Sequence, residues 1–202
     1  MSSNKTIFVF LSALILGLGT FTSANAQLMT LHTLDDLPKI KWRMGYVLIG
    51  VDNGDTNAFL TVRRLEHNGR TPRRSKGELT FTPNSYRIDL SGREAGFYLL
   101  GVPAGLYQIT EVNYPYFDLP FRLSTTDQSE WRFFVEEGKT NYIGQLIVAN
   151  ERSRSTLDVN LLNRLATQWE QIHNDYQTLL AEFPLVSGVG SRDDFPEFLT
   201  AQ

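Results

Sequence analysis

From Gly45 to Ala149 the apolar residues come in short runs rich in β-branched and aromatic side chains, separated by turn residues and without a helical period. The runs are GYVLIGV (45–51), AFLTVRRL (58–65), ELTFT (78–82), YRIDL (86–90), AGFYLLGV (95–102), LYQITEVNY (106–114), FDLPFRL (117–123), EWRFFVE (130–136) and TNYIGQLIVA (140–149). In YRIDL, Tyr86, Ile88 and Leu90 alternate with Arg87 and Asp89, which sends the apolar set to one face and the charged set to water. Pro120 restricts its run to an edge strand or a bulge. Asn53-Gly54 and Glu137-Gly138-Lys139 have the size and residue types of hairpin turns. The pattern predicts a mainly β fold, an antiparallel β-sandwich over residues 44–150.

After Asn150 the period changes. Leu162, Leu165, Trp169, Ile172, Tyr176, Leu179 and Phe183 recur at alternating steps of three and four, one apolar stripe that Phe183-Pro184 ends. Ser155 or Thr156 with Asp158 offers capping chemistry at its start. Residues 151–184 therefore read as one long C-terminal amphipathic α-helix. Trp169, Tyr176 and Phe183 occupy positions where a two-stranded coil prefers β-branched residues, so the expectation is a monomer whose helix packs on its own sandwich. A homodimer through this helix is the alternative. Residues 185–202 read as a mobile tail.

At the other end, Lys5 precedes an apolar run from Ile7 to Leu18 and a polar stretch closing on Ala24-Asn25-Ala26. That is the pattern of a secretory signal peptide cut after Ala26, with a core too short to span a bilayer. The expected location is periplasmic or secreted, and residues 27–43 form an N-terminal extended segment. The chain of 202 residues has no cysteine, which excludes a disulfide framework and a lipidated lipoprotein start. Its net charge of −3, one unit more negative once Lys5 is removed, argues against nucleic acid as the partner.

Two stretches carry a resemblance. GFYLLGVPAGLYQITEV (96–112) joins an aromatic strand through Pro103-Ala104-Gly105 to a second strand with Tyr107 two residues after the glycine, and FFVEEGKTNYIGQLIV (133–148) places a Gly turn before a Tyr-Ile-Gly strand. Together they resemble the prealbumin-like sandwiches, including the carboxypeptidase-regulatory, transthyretin-like domains of bacterial envelope proteins. The resemblance implies a binding or spacer module and transfers no catalytic residue. On chemistry alone the Pro-Ala-Gly turn is structural: Pro103 fixes φ and Gly105 relieves the turn.

Catalytic signatures are absent: there is no G-x-S-x-G elbow, no H-E-x-x-H helix and no P-loop, and SGVGS (187–191) lacks a strand-turn-helix setting. DNGDTN (52–57) fails as a calcium loop because its twelfth position is Arg63 rather than a bidentate Glu. His32, His67 and His173 are too widely spaced for a metal site, and no cofactor is expected. The adjacent acids Asp35-Asp36, Glu136-Glu137 and Asp193-Asp194 make no dyad, since neighbours on a strand face opposite sides.

The most unusual feature is RRLEHNGRTPRRSKGE (63–78). There Arg63, Arg64, Arg70, Arg73, Arg74 and Lys76 form a basic stretch on an acidic chain. Guanidinium pairs bidentately with phosphate and carboxylate, so these residues are the candidates for contact with an anionic partner, an envelope protein or an anionic envelope component. A solvated loop that protects a sheet edge is the plainer account. The function expected is a non-enzymatic envelope module. The alternatives are an envelope carbohydrate hydrolase using carboxylates among Glu78, Asp89, Glu94 and Glu111, or a carbohydrate-binding sandwich presenting Tyr114, Tyr116 and Phe117.

Overall fold

The computed structural model describes residues 26–53, 57–67, 72–74, 84–116, 119–151 and 156–189. The segment read as a signal peptide, the strand expected at 78–82 and the chain from residue 190 onward lie outside the described residues.

Two sheets form from the described runs anticipated above, joined by strands at 27–29, 72–74, 156–162 and 185–187 in segments read as an extended segment, a basic loop, a helix and a tail. The first contains β1 (Gln27–Met29), β3 (Phe59–His67), β4 (Pro72–Arg74), β5 (Ser85–Asp89), β7 (Gly105–Tyr116), β8 (Leu119–Ser124) and β9 (Arg132–Val135). Its order is β1-β5-β3-β7-β8, with β4 added to β3 and β9 to β7. The second contains β2 (Met44–Asp52), β6 (Gly96–Pro103), β10 (Thr140–Glu151), β11 (Thr156–Leu162) and β12 (Leu185–Ser187), in the order β11-β10-β2-β6 with β12 on β10. Their facing sides share one core. Val47, Ile49, Leu100, Ile143 and Leu146 of the second sheet meet Leu60, Val62, Ile88, Tyr107, Ile109 and Phe133 of the first, a sandwich-like arrangement.

The sheets are not wholly antiparallel. β2 and β10 are parallel neighbours, as are β1 with β5 and β12 with β10. The cause lies in the connections. β2 and β3, β6 and β7, and β9 and β10 are consecutive in sequence but lie in different sheets. Pro103-Ala104-Gly105 and Glu137-Gly138-Lys139 are therefore corners between sheets, the second in place of the expected hairpin. β2 and β3 do not pair as a hairpin either, and the turn read at Asn53-Gly54 lies partly outside the described residues. Gly138 does have the positive φ, 66°, that its sequence position suggests. Local turn chemistry reports that the chain reverses, not which sheet receives the next strand.

The long helix is also revised. Residues 156–162 form β11, because Leu157, Val159 and Leu161 alternate with Asp158 and Asn160, and Val159 and Leu161 pack against the core between the sheets. Leu162, counted in the helical stripe, ends this strand and is 38% exposed. Two short helices follow, α1 (Leu165–Asp175) and α2 (Gln177–Glu182), separated at Tyr176, whose hydroxyl donates to the Phe97 carbonyl at 3.0 Å. From Leu165 onward the stripe behaves as its spacing implies. Leu165, Ile172, Tyr176 and Leu179 cover the outer face of the second sheet, meeting Tyr46, Leu48, Leu99 and Tyr142. Leu185, expected to begin a tail, instead starts β12, paired with Thr140.

Candidate functional site at one end of the sheets

Strand directions gather several connections at one end of the molecule. β2, β7 and β10 begin there, and β3, β6 and β9 finish there, as the pairs Met44 with Pro103, Gly105 with Val135 and Thr140 with Tyr46 require. The turn 41–44, the corner 103–105 and the link 136–139 lie there, beside the paired ends of β3 and β4.

The Ala104 peptide ties two of them together. Its N–H donates to the Arg43 carbonyl at 2.8 Å, and its carbonyl accepts from Arg64 Nη2 at 2.8 Å. The guanidinium lies against Gly105, where an added Cβ would stand 3.0 Å from Arg64 Nε. Tyr107 completes the corner by donating its hydroxyl to the Pro103 carbonyl at 2.6 Å while stacking on Phe133, with ring centroids 5.5 Å apart. This is the arrangement of a tyrosine corner. Burial raises the Tyr107 phenol far above its ordinary value, so it remains a donor at any ordinary pH.

Asn141 holds the neighbouring link. Its Nδ2 donates to the carbonyls of Tyr46, Glu136 and Lys139, and its Oδ1 accepts from the Glu136 N–H at 2.8 Å. Gly45 lets this link approach, since a Cβ there would meet the Glu136 carbonyl oxygen at 2.2 Å.

The turn Lys41–Met44 projects beside these corners. Met44 N–H donates to the Lys41 carbonyl at 3.2 Å. Arg43 takes a left-handed φ of 63°, a conformation that costs a non-glycine residue roughly 1–2 kcal/mol, and its N–H donates to Glu137 Oε1 at 2.9 Å. Trp42 is 79% exposed, with the Arg43 guanidinium 4.2 Å from its ring centroid. Lys39, Lys41 and Arg43 are all exposed, and the ion pairs among the described residues, His32–Asp36 and Arg122–Glu111, include none of them.

The basic candidates fall into three groups. Arg63 lies half-buried in β3 between Ser85 and Gln108, its Nε enclosed without a hydrogen-bond partner among the described residues. Arg64 supports the corner. Arg73 and Arg74 are in β4, in register with Glu66 and Leu65, so they continue the same end of the molecule. Arg70 and Lys76 lie outside the described residues. Sequence reading passed over Lys39, Lys41, Trp42 and Arg43, although three cations about one tryptophan within KIKWR are visible in the sequence.

A groove of about 480 Å³ adjoins the turn, walled by Leu34, Leu37, Ile40, Leu179 and Phe183 over Tyr46, with Lys39 and Glu182 as its charged groups. The Tyr46 hydroxyl donates to the Pro38 carbonyl at 3.0 Å, which fixes the N-terminal segment over the sheet.

The acids considered for hydrolysis have other partners. Asp89 accepts from Ser91 N–H and Oγ, and the Ser91 hydroxyl chiefly holds its carboxyl below the usual value. Glu111 pairs with Arg122 at 3.1 Å and accepts from Asn113. Glu94 is exposed and Glu78 lies outside the described residues. Among the described residues no group of His, Cys, Asp and Glu is arranged to hold a metal. Tyr114, which the carbohydrate-binding alternative needs in an exposed row, is 7% exposed and belongs to the core between the sheets. Phe117 is not among the described residues, and Tyr116 ends β7. No family model matches the chain, and no curated protein matches it. Among the described residues no helix is long and apolar enough to cross a membrane.

Proposed function

We propose that this chain is an exported, non-enzymatic β-sandwich module of the prealbumin-like type, which binds an anionic component of the bacterial cell envelope through the end bearing residues 63–76. The observation that carries this reading is the convergence of two cation-bearing segments on one peptide: Arg43 and Arg64 both hydrogen-bond Ala104. Their segments bring Lys39, Lys41, Arg73 and Arg74 to the same end of a chain whose overall charge is −3. Such local concentration against the net charge favours an anionic partner and lets the rest of the surface repel it.

The test is retention of the chain on an immobilised polyphosphate matrix, compared with a variant carrying Arg70→Gln, Arg73→Gln, Arg74→Gln and Lys76→Gln. Arg64 is left intact because it supports the corner. The variant is expected to elute at clearly lower salt. Identical elution of the two would exclude the 63–76 stretch as the contact.

A further inference from the structure

We propose that the turn Lys41–Met44 seats this end of the molecule on an anionic lipid bilayer, with Trp42 at the headgroup level and Lys39, Lys41 and Arg43 against lipid phosphates. The inference rests on the anionic-partner reading above and names the partner.

Two observations carry it. The first is the setting of Trp42, which is 79% exposed whereas Trp131 is 4% exposed and Trp169 packs against the helix-covered core. An exposed indole on a loose loop would mean little. This one sits on a turn held from three directions, by Met44 N–H to Lys41, Arg43 N–H to Glu137, and Ala104 N–H to Arg43. The left-handed Arg43 is kept in place by those bonds, so the backbone of the turn is fixed.

The second observation is charge. Residues 37–44 contain three cations and no acid, and the cations stand on both sides of the indole. Of the carboxylates nearby, Glu137 is committed to the Arg43 N–H, while Glu136 and Glu182 are exposed to solvent. An amphipathic indole prefers the boundary between water and hydrocarbon, and adjacent Lys and Arg are drawn to anionic headgroups.

The experiment uses the chain from Gln27 to Gln202, since both cores and every described strand lie within it. Vesicles of phosphatidylcholine mixed with phosphatidylglycerol are compared with vesicles of phosphatidylcholine alone, by co-sedimentation and tryptophan emission. Binding to the anionic vesicles is expected, with a blue shift that Trp42→Ala abolishes. The double variant Lys39→Gln, Lys41→Gln should lower partitioning at least about tenfold. Both variants alter exposed side chains and should keep the wild-type unfolding midpoint.

Wild-type partitioning by Trp42→Ala, or a blue shift that survives in it, would overturn the inference. So would an absence of vesicle binding. If the chain is then still retained on polyphosphate in a manner that depends on 63–76, the lipid assignment alone falls. Loss of retention on both removes the anionic-partner reading as well.

Discussion

Among the described glycines, Gly45 is the one whose added Cβ would meet its nearest neighbour most closely. Its missing side chain is replaced by the Glu136 carbonyl, and a Cβ placed 2.2 Å from that oxygen would force a backbone shift. Gly45→Ala should destabilise the protein by about 3 kcal/mol in chemical denaturation. Gly96→Ala, where nothing lies within 4 Å of the added atom, should change stability by no more than about 0.5 kcal/mol. Tyr107→Phe removes one buried hydrogen bond to Pro103 and should cost about 1–2 kcal/mol, with the stacking on Phe133 retained. Some of this was legible. Pro103, Gly105 and Tyr107 announce a turn by residue type and spacing, though not that the turn passes from one sheet to the other. The role of Arg64 was not legible, because its partner, Ala104, lies 40 residues away and nothing local distinguishes this arginine from its neighbours in a basic stretch.

Elements were read well where one period dominated and poorly where two coincided. TLDVNLL has a strand alternation and ends on Leu162, the first residue counted in the helical stripe, and the alternation prevailed because β10 offered a partner edge. The helices that remain are held by burial rather than by propensity. Ile172 is fully buried against the second sheet, so Ile172→Ala should cost about 2–4 kcal/mol in thermal or denaturant unfolding.

The same interface sets an alkaline limit on stability. Burial pushes the phenols of Tyr142 and Tyr176 from an ordinary 10.0 up to about 12. The native state thus binds protons that the unfolded chain releases. Stability is fully present below about pH 10 and declines as the pH rises from there through about 12. Tyrosinate absorbance should appear together with unfolding in that window, and Tyr142→Phe should flatten the decline while losing the hydrogen bond to Gln168. Ionisation of all tyrosines around pH 10, their ordinary value, without unfolding would contradict this account.

At the scale of the whole molecule, charge and topology act together. Sequence alone located a basic stretch in 63–76 but left it isolated in a loop. Only the assignment of β2 and β6 to one sheet and β3 and β7 to the other brings the end of β3 beside the turn carrying Trp42. Corners between sheets make this juxtaposition, and their residue types look the same as those of hairpins, which is why the site's second half escaped a reading of the sequence. The proposed contact lies at one end of the sheets, and the opposite end, with the Asp52 end of β2 and the turn at Ser91-Gly92, faces away.

Hydrogen–deuterium exchange of the chain from Gln27, with and without anionic vesicles, tests that assignment most directly. The account predicts slowed exchange in residues 39–44 and 63–76 and unchanged exchange around residues 52–58 and 90–96. Protection confined to the opposite end, to the outer face of the first sheet, or to no segment at all would contradict it.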